Sequence, residues 1–332
     1  MWRMHRAPSV AFAAALSLSS AAAAAQWAPT PSDPRGDGPV TTLTVPVGVS
    51  TPAARAVGAD RPDRRVAWRW QPVQTWEYVM AGGFAGATLG SLFIPVGQGR
   101  WTGVNGFDDQ VGSALLPDDR EGRRAAADAS DVLLALEINH MLFDALVVGW
   151  AMHGQGGVAY QMSAVNMETM AVSVGLTNLV KSIAARERPY GRQCASDPVL
   201  RRSGDCEGRE RYLSFFSGHS SAAFTVAGLT CMHHAHLPLY GGGARDGLAC
   251  VSSLAAASAV GVLRVSAEDH YPSDVLAGAA LGTAVGLGVP WLLHYRLPAS
   301  RRTTGSDADR EPNEVSIRFL PAPTGGALVG EF

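Results

Sequence analysis

The sequence predicts an all-helical protein whose core is a bundle of about six helices, with an active site at the helix ends. Hydrophobic residues make up 47% of the 332 residues but aromatic residues only 8%. The excess is therefore in small and aliphatic side chains, which favour closely packed helices. Alternating apolar and polar residues, the pattern of strands, occur only in short pieces near the ends of the chain. We therefore expect the helical domain at residues 74–296.

The amino-terminal segment indicates export. Basic residues precede an apolar run, residues 10–25, that ends in an alanine tract. This order is typical of a secretory signal peptide, so we expect residues 1–25 to be removed. The alternative, a first membrane anchor, fits a run this short and rich in alanine and serine less well. Residues 26–73 are rich in Pro, Gly, Asp and Arg and are expected to be a flexible extension.

The helices have recognisable boundaries. Ser130 suits the N-cap of the second long helix, and Pro189 ends the third, because the residue before a proline avoids the helical region. Pro272 suits the first position of the sixth helix. A short amphipathic helix, closed by Pro117, is expected at about residues 107–116. The six long helices are expected at about 75–93, 131–153, 163–188, from 217, from 246, and at 272–295.

Residues 297–332 are expected to form a polar linker and a hairpin. Two β-like pieces, at 315–320 and 327–332, flank the turn sequence Pro-Thr-Gly-Gly at 323–326. The sequence therefore predicts two strands joined by a turn in the carboxyl-terminal tail.

Four cysteines fit an exported protein. Cys194 and Cys206 lie in one polar loop, and Cys231 and Cys250 flank a glycine-rich connection. In an oxidising compartment we expect the disulfides Cys194–Cys206 and Cys231–Cys250, the first worth about 3 kcal/mol. The absence of a Cys-x-x-Cys spacing leaves zinc and thioredoxin-like motifs unsupported.

The relation of the bundle to a membrane has two solutions. If the signal peptide is removed and three helices span, the first cysteine loop lies in the cytoplasm, which conflicts with a disulfide. The second long helix also carries polar residues that are costly in lipid: Glu137, Asn139, His140 and Asp144. These points favour a membrane-associated bundle outside the cytoplasm. An uncleaved amino-terminal segment restores the spanning arrangement, with the arginines of residues 61–69 on the cytoplasmic side.

One stretch, residues 264–274, combines Arg264, His270 and Asp274. Pro272 places Asp274 in the first turn of a helix and His270 just before it. An aspartate close to a histidine fixes the tautomer of the ring and leaves the other nitrogen free for chemistry. Alone, such a pair is more often structural than catalytic.

Two further motifs suit a phosphate. Lys181 and Arg188 are seven residues apart, so on a continuous helix both project from one face, where two cations suit an anion with several oxygens. The alternative is a solvated helix end, where the helix dipole stabilises cations. Ser217 suits an N-cap, and Gly218 lets a ligand approach the free N–H groups of the helix start. His219, beside them, is placed to give a proton to a leaving group.

Together the motifs resemble the three-part signature of the type 2 phosphatidic acid phosphatase superfamily, which also contains bacterial non-specific acid phosphatases and vanadium haloperoxidases. The resemblance covers about residues 130–295. Phe216 stands where the family usually has proline, and Leu263 where it usually has serine. Neither change replaces a charged or proton-transferring group, so they affect pocket shape. The motifs read Lys181-x6-Arg188-Pro189, Ser217-Gly218-His219 and Arg264-x5-His270-x3-Asp274.

The resemblance implies a role for each residue. His270 attacks phosphorus and becomes a phosphohistidine, oriented by Asp274. His219 protonates the leaving oxygen and then activates water. Three fixed cations balance a phosphomonoester charge of about −1.5 to −2, so no metal or other cofactor is expected. The groups that hold the phosphate oxygens are Lys181, Arg188, Arg264, Ser217 and the Gly218 amide.

The sequence thus predicts a metal-independent phosphatase of monoesters or diphosphates that acts outside the cytoplasm. Apolar helices near the site favour a lipid-linked substrate. The alternatives are a soluble non-specific acid phosphatase, a vanadium haloperoxidase with vanadate as cofactor rather than inhibitor, and a binding module that has lost catalysis. The last is expected to lack His219, His270 or Asp274. A net charge of −2 argues against nucleic acid as a partner.

The remaining histidines are expected to be structural. The fourth helix ends with His233, His234 and His236. The helix dipole favours histidines at that end, so we prefer a structural role for them to a metal site. The isolated histidines are His140, His153 and His294. Glu268 and Asp269, beside His270, either raise its basicity or are solvated.

Overall fold

A computed structural model of the chain describes residues 66–96, 100–194, 196–198 and 206–299, together with the backbone of 316–322 and 325–331. These residues belong to one compact unit, Ala59–Phe332. The expected signal peptide, most of the expected extension and residues 300–315 of the expected linker lie outside the described residues.

The described core is all-helical, as predicted, with six long helices and one short one. The helix that ends at Phe143 continues into a π-helix at Asp144–Met152, and the helix that ends at Pro290 continues into another at Trp291–Tyr295. The short helix, Gly106–Leu115, also lies close to its predicted position. The helices are α1 (Thr75–Ser91), α2 (Gly106–Leu115), α3 (Arg120–Phe143), α4 (Gly156–Ala184), α5 (Gly218–His236), α6 (Ala244–Ser266) and α7 (Pro272–Pro290).

The start of α3 differs from the prediction. Its N-cap is Asp119, whose carboxylate accepts from the N–H of Gly122 at 2.6 Å, and not Ser130. Ser130 lies inside the helix and donates to the carbonyl of Ala127. The segment after Asp119 is rich in alanine and arginine, which favour helix, so α3 begins earlier than its apolar part alone indicates.

The end of α4 also differs from the prediction. The helix runs over Gly156–Ala184 and stops at Ala185, which adopts the left-handed conformation with φ 44°. A residue in that conformation is a common helix terminator. Arg188 therefore lies beyond the helix, and the expectation that Lys181 and Arg188 share one helical face is wrong.

Glycines bring α5 and α7 into close contact. Gly278, Gly282 and Gly286 are spaced by four residues and so lie on one face of α7. A Cβ added at Gly282 lies 2.3 Å from the carbonyl oxygen of Ser221 in α5, and one at Gly286 lies 2.5 Å from that of Thr225. The same contact holds the first turns of α5 and α7 side by side, where the predicted motifs lie.

The last residues of the expected flexible extension pack against the bundle. Val66 is 2% exposed and belongs to a core cluster with Val148 and Met162. Trp70 forms a bridge with Pro298, which follows α7. The apolar side chains at 66–70 cover the bundle surface, so residues 66–73 are part of the helical domain rather than of an extension.

Three described helical segments are long and apolar enough to cross a membrane, judged by length and composition. Glu137 and Asp144, two of the polar residues that argued against lipid, are 5% and 2% exposed and lie inside the bundle. Large apolar side chains instead face outward, which is typical of a membrane-contacting surface. These features support membrane association of the bundle. The segments are Arg120–Met152, Ala244–Ser266 and Pro272–Tyr295.

Both predicted disulfides are present. Cys194–Cys206 closes part of the segment between α4 and α5, and Cys231–Cys250 joins α5 to α6. The predicted carboxyl-terminal hairpin is also found. Strands β1 (Ser316–Ala322) and β2 (Gly325–Glu331) pair antiparallel.

Candidate active site

The fold brings all three predicted motifs to one end of the bundle. Helices α4 and α6 end there and place Lys181 and Arg264, whereas α5 and α7 begin there and place the Ser217–His219 motif and Asp274. Arg188 and His270 lie in the segments that follow α4 and precede α7. The predicted site residues therefore come from four helices and two connections.

His270 is the buried centre of the site. Its side chain is 1% exposed, and Nδ1 lies 2.8 Å from the backbone carbonyl oxygen of Ser214. A carbonyl only accepts, so Nδ1 carries a proton, and in the neutral ring Nε2 keeps a free electron pair. Burial, followed by the positive charges of Lys181, Arg188 and Arg264, holds the pKa of His270 well below its usual value. The ring is therefore neutral and its Nε2 is available as a nucleophile.

Asp274 supports His270 indirectly. Its carboxylate lies 3.9 Å from Nδ1 of His270, which is beyond a hydrogen bond. Instead, Oδ2 accepts from the hydroxyl of Ser214 at 2.5 Å and from the N–H of Tyr271 at 3.0 Å. Asp274 thus orients Ser214, whose carbonyl in turn orients the imidazole.

Arg186 anchors this arrangement. Its guanidinium group is 1% exposed and bridges Asp274 and Asp108, with Nη2 2.6 Å from the Asp108 carboxylate. The group also lies between the rings of Trp101 and Tyr271, 4.2 Å from each ring centre. Arg186 therefore fixes Asp274 by charge and by stacking, without facing the predicted phosphate site.

Arg188 and Arg264 form two of the three predicted clamps. Asp269 bridges them, because its carboxylate lies 3.0 Å from Nη1 of Arg188 and 2.6 Å from Nη2 of Arg264. The guanidinium groups are 11% and 7% exposed, and neither Nε has a hydrogen-bond partner among the described residues. Asp269 is thus mostly buried, at 19% exposed, and its partners are the two arginines rather than His270.

Lys181 supplies the third cation. It is partly buried and has no hydrogen bond or ion pair with another described residue. Burial, and to a smaller extent the charge of Arg188, lowers the pKa of Lys181 to about 8. Its Nζ approaches Gly218 so closely that a Cβ there would lie 3.3 Å from it. A side chain at position 218 would therefore crowd the ammonium group at the start of α5.

The start of α5 offers free N–H groups beside this ammonium group. Ser217 is the N-cap, as predicted, and its hydroxyl accepts from the N–H of Ser220 at 3.3 Å. The N–H of Ser217 itself donates to the carbonyl of Asp274 at 3.0 Å. That bond ties the first turns of α5 and α7 together, while the other free N–H groups of the turn suit an anion.

His219 lies in the first turn of α5 and pairs with Asp131 of α3. Its Nε2 is 2.8 Å from the Asp131 carboxylate, which also lies 3.2 Å from Nη1 of Arg264. An ionised carboxylate only accepts, so Nε2 of His219 carries a proton. Burial, followed by the charge of Arg264, lowers the pKa of His219 to about 4. In the neutral ring that proton is held by Asp131, so His219 can give a proton to a substrate only in its charged form, which Asp131 stabilises.

Sequence reasoning missed several contributors to the site. Ser214 acts through a backbone carbonyl, which every residue has, and Arg186 stands among other charged residues without a distinguishing pattern. Asp108 and Asp131 lie far from the motifs in sequence.

An apolar groove runs beside the site. Its volume is about 260 Å³, and it lies between α2, α5, α6 and α7. Val265 and Pro272 line both this groove and a smaller polar pocket of about 100 Å³ that reaches His270. The groove is lined further by apolar side chains that include Phe107, Val111, Phe224, Val262 and Leu276.

The histidines at the end of α5 are structural, as predicted. His233 is hydrogen-bonded to the hydroxyl of Tyr295 and to Asn166, and His234 lies between Asp144 and Asp246. His236 stacks on the ring of Tyr295. Each of these three rings thus has a hydrogen-bonding, ion-pair or stacking partner within the protein.

A known family model matches the part of the chain that carries the motifs. The PAP2 superfamily model matches residues 166–298. A PA-phosphatase related-family protein of Dictyostelium discoideum is 28% identical over 168 residues, 48% of this chain and 57% of that protein, so the chain spans somewhat over half of the relative. The crystal structure of a transmembrane PAP2 type phosphatidylglycerolphosphate phosphatase from Bacillus subtilis aligns with 65% of this chain and 94% of that chain, at 16% identity and a TM-score of 0.43.

Proposed function

We propose, because residues 166–298 match the PAP2 superfamily model, that the protein is a phosphatase that hydrolyses lipid-linked phosphate monoesters or diphosphates. The observation that carries the proposal is the set of three cations, Lys181, Arg188 and Arg264, whose charges act on a buried neutral His270. Such a site attracts a dianionic group and presents a nucleophile to it.

The cations suit the charge of the substrate. A phosphomonoester carries about −1.5 to −2 charge, and a five-coordinate transition state adds charge to its equatorial oxygens. Lys181 has no partner among the described residues, and the Nε groups of both arginines also have none there. These donors and the N–H groups at Gly218 support phosphate binding without a metal ion at this site.

The first step forms a phosphohistidine. The free electron pair of His270 Nε2 attacks phosphorus, and the bond from phosphorus to the leaving oxygen breaks. His219, in its doubly protonated form, transfers one proton to that oxygen and is left as the neutral ring. Asp131, 2.8 Å from Nε2, accepts from that nitrogen and stabilises the charged form of the ring that gives up the proton.

The second step releases phosphate. His219, now lacking that proton, takes one from a water molecule as its oxygen attacks phosphorus. The bond from phosphorus to His270 Nε2 breaks and restores the neutral ring. Asp274 and Ser214 hold the ring in place through both steps, because the hydrogen bond at Nδ1 is not broken in either.

The apolar groove supports a lipid substrate. It adjoins the polar pocket through Val265 and Pro272, the residues on either side of the His270 segment. A phosphate bound at the cations leaves a hydrocarbon chain free to lie in the groove, in contact with the outward-facing apolar helices. Membrane association brings such substrates to the site laterally.

The proposed location is the extracytoplasmic side of a membrane. Cys194–Cys206 lies in the same segment as Arg188 and Ser214, so the disulfide and the site share one end of the bundle. Disulfides form in oxidising compartments, which supports placing this end outside the cytoplasm.

The test compares wild-type protein with His270→Ala. Purified protein is assayed in EDTA with p-nitrophenyl phosphate and with a phosphorylated lipid. We expect the substitution to reduce kcat at least about a thousandfold, because it removes the nucleophile. Rapid quenching in base should trap an acid-labile phosphoryl group on wild-type protein and none on the variant.

His153→Ala is the matched control. His153 is an exposed histidine bonded to the carbonyl of Leu239, remote from the motifs, and its loss should leave activity unchanged. Equal phosphatase activity in wild type and His270→Ala would reject the proposal. Vanadate should inhibit turnover, whereas bromide oxidation with vanadate and peroxide would support the haloperoxidase alternative instead.

A further inference from the structure

A second cluster of chemically active side chains lies away from the catalytic motifs. Glu77 of α1, Glu168 of α4 and His294, which follows α7, place their potential ligand atoms within 4.8 Å of one another. Their exposed fractions are 1%, 2% and 0%. Glu168 precedes Lys181 on α4 by about 20 Å of helix, at 1.5 Å per residue. The cluster is therefore separate from the proposed phosphatase site.

His294 is oriented as a ligand would be. Its Nδ1 lies 3.0 Å from the backbone carbonyl oxygen of Gln71, which only accepts, so Nδ1 carries a proton. Its Nε2 lies 2.7 Å from Oε1 of Glu168 and donates to it when the ring is charged. Loss of that proton leaves on Nε2 an electron pair directed at the place where Glu168 would hold an ion. A carbonyl that fixes one ring nitrogen while the other binds is the usual arrangement around a metal-ligating histidine.

Glu168 has an unsatisfied oxygen. Its Oε1 faces His294, but its Oε2 is buried and has no hydrogen-bond partner among the described residues. Buried polar atoms without partners are uncommon, and one on a carboxylate indicates a missing ion or proton. Within the described part of the chain, no lysine or arginine forms an ion pair with Glu168 or Glu77.

Glu77 is positioned by its own helix start. Its Oε2 accepts from the N–H of Gln74 at 2.6 Å, as part of a capping box. This bond fixes the carboxylate at the amino end of α1, facing Glu168. Two carboxylates are thus held together in a buried place by contacts on both sides of the cluster.

The neighbouring histidine cluster shows what a satisfied network looks like. His234 contacts Asp246 through Nδ1 at 2.6 Å and Asp144 through Nε2 at 3.2 Å. The remaining oxygens of these aspartates accept from the hydroxyl of Tyr240 and the N–H of Gly242, each at 2.6 Å. Every carboxylate oxygen has a donor there, so that network needs no ion.

We infer that Glu77, Glu168 and His294 bind a divalent transition-metal ion, for which Zn²⁺ is the best match. Two carboxylates and a neutral imidazole give the three protein ligands of a zinc site, and an imidazole ligand disfavours Mg²⁺ and Ca²⁺. Bonds of about 2.0–2.2 Å in a tetrahedral site place ligand atoms about 3.4 Å apart. On binding, His294 and Glu168 must therefore separate from 2.7 Å, while ligand atoms up to 4.8 Å apart must approach. The ion ties the start of α1 to α4 and to the end of α7, and the inference does not depend on the proposed phosphatase activity.

The test measures zinc directly. The full chain is purified in detergent with a tag that contains no histidines, stripped with a chelator, and titrated with Zn²⁺ by calorimetry. We expect one ion per chain in the wild type. Glu168→Gln should weaken binding about 10–100-fold or more, because it removes a charged ligand without changing shape. Zinc should also raise the melting temperature of the wild type by several degrees and leave that of Glu168→Gln almost unchanged.

Glu137→Gln is the matched control, since Glu137 is also a buried glutamate with an unpaired oxygen but lies outside the cluster. It should bind zinc as tightly as the wild type. Glu77→Gln and His294→Gln provide independent variants, each checked for folding by circular dichroism. Failure of the folded wild type to bind one ion, or undiminished binding in all three ligand variants, would overturn the inference.

Discussion

The backbone carbonyl of Ser214 accepts a hydrogen bond from Nδ1 of His270 at 2.8 Å. The hydroxyl of the same serine donates to Asp274, which lies 3.9 Å from the histidine nitrogen. One residue thus connects the proposed nucleophile to the carboxylate that was expected to orient it directly. Several predictions about the site depend on this indirect connection.

Ser214→Ala should lower kcat while leaving KM nearly unchanged. The substitution keeps the carbonyl that holds His270 but removes the donor to Asp274, which retains its bonds to Arg186 and Tyr271. A lost hydrogen bond of this kind costs about 1 kcal/mol, or about fivefold in rate. Steady-state kinetics would measure it. Ser182→Ala, equally buried but bonded to a carbonyl of α4, serves as control and should have no effect on kcat.

Arg186→Met should destabilise the fold by about 3–5 kcal/mol. The substitution leaves the buried carboxylates of Asp108 and Asp274 without their cation, and an uncompensated buried charge is costly. Denaturant unfolding monitored by circular dichroism would measure the loss. Arg192→Met removes an exposed pair with Asp109, 3.7 Å apart, and should cost about 0–1 kcal/mol. Similar losses in the two variants would contradict the anchoring role of Arg186.

Lys181→Arg should change the alkaline side of the pH profile. The pKa of Lys181 is lowered to about 8, mainly by burial, so its positive charge is present below that pH and lost above it. We therefore expect kcat/KM of the wild type to fall as the pH rises through about 8. A guanidinium group stays charged throughout this range, so the fall should move to higher pH in the variant.

The profile of kcat/KM from pH 6 to pH 10 would test this assignment. Lys181→Met provides the matched control, because it is uncharged at every pH and should have low activity without a step near pH 8. An unchanged step in Lys181→Arg would show that another group causes it.

Gly282→Ala should destabilise the contact between α5 and α7. The added Cβ meets the carbonyl oxygen of Ser221 at 2.3 Å, so the two helices must separate. Overpacking of this kind costs about 1–3 kcal/mol, and we expect a lower melting temperature and reduced activity. Gly288→Ala on the same helix meets nothing within 4 Å and should be neutral or stabilising by up to about 1 kcal/mol. Thermal unfolding in detergent would distinguish them.

The parts of the fold that local chemistry determines were predictable. The N-cap at Ser217 and the start of α7 at Pro272 follow from residues adjacent to them, and both are found. Both disulfides expected from cysteines that share a loop or flank one connection are also found. The meeting of the three motifs was implied by their resemblance to a family signature.

The parts set by tertiary contacts were not predictable. The end of α4 depends on Ala185 in a left-handed conformation, and alanine gives no signal for it. Asp131 and Asp108 reach the site from helices distant in sequence, so their partners His219 and Arg186 could not be assigned from the chain alone. The buried position of Glu137 likewise depends on which face of α3 packs inward.

The disulfide Cys194–Cys206 has a consequence for how the protein must be produced. It links two points of the segment that carries Arg188 on one side and Ser214 on the other, and both of its cysteines lie outside the long helices. A chain made in a reducing cytoplasm can therefore acquire the correct helix content and still have a loosely held clamp and nucleophile support. Specific activity, rather than yield or circular dichroism, is then the proper criterion of a native preparation. We expect this activity to depend on whether the expression host can form the disulfide.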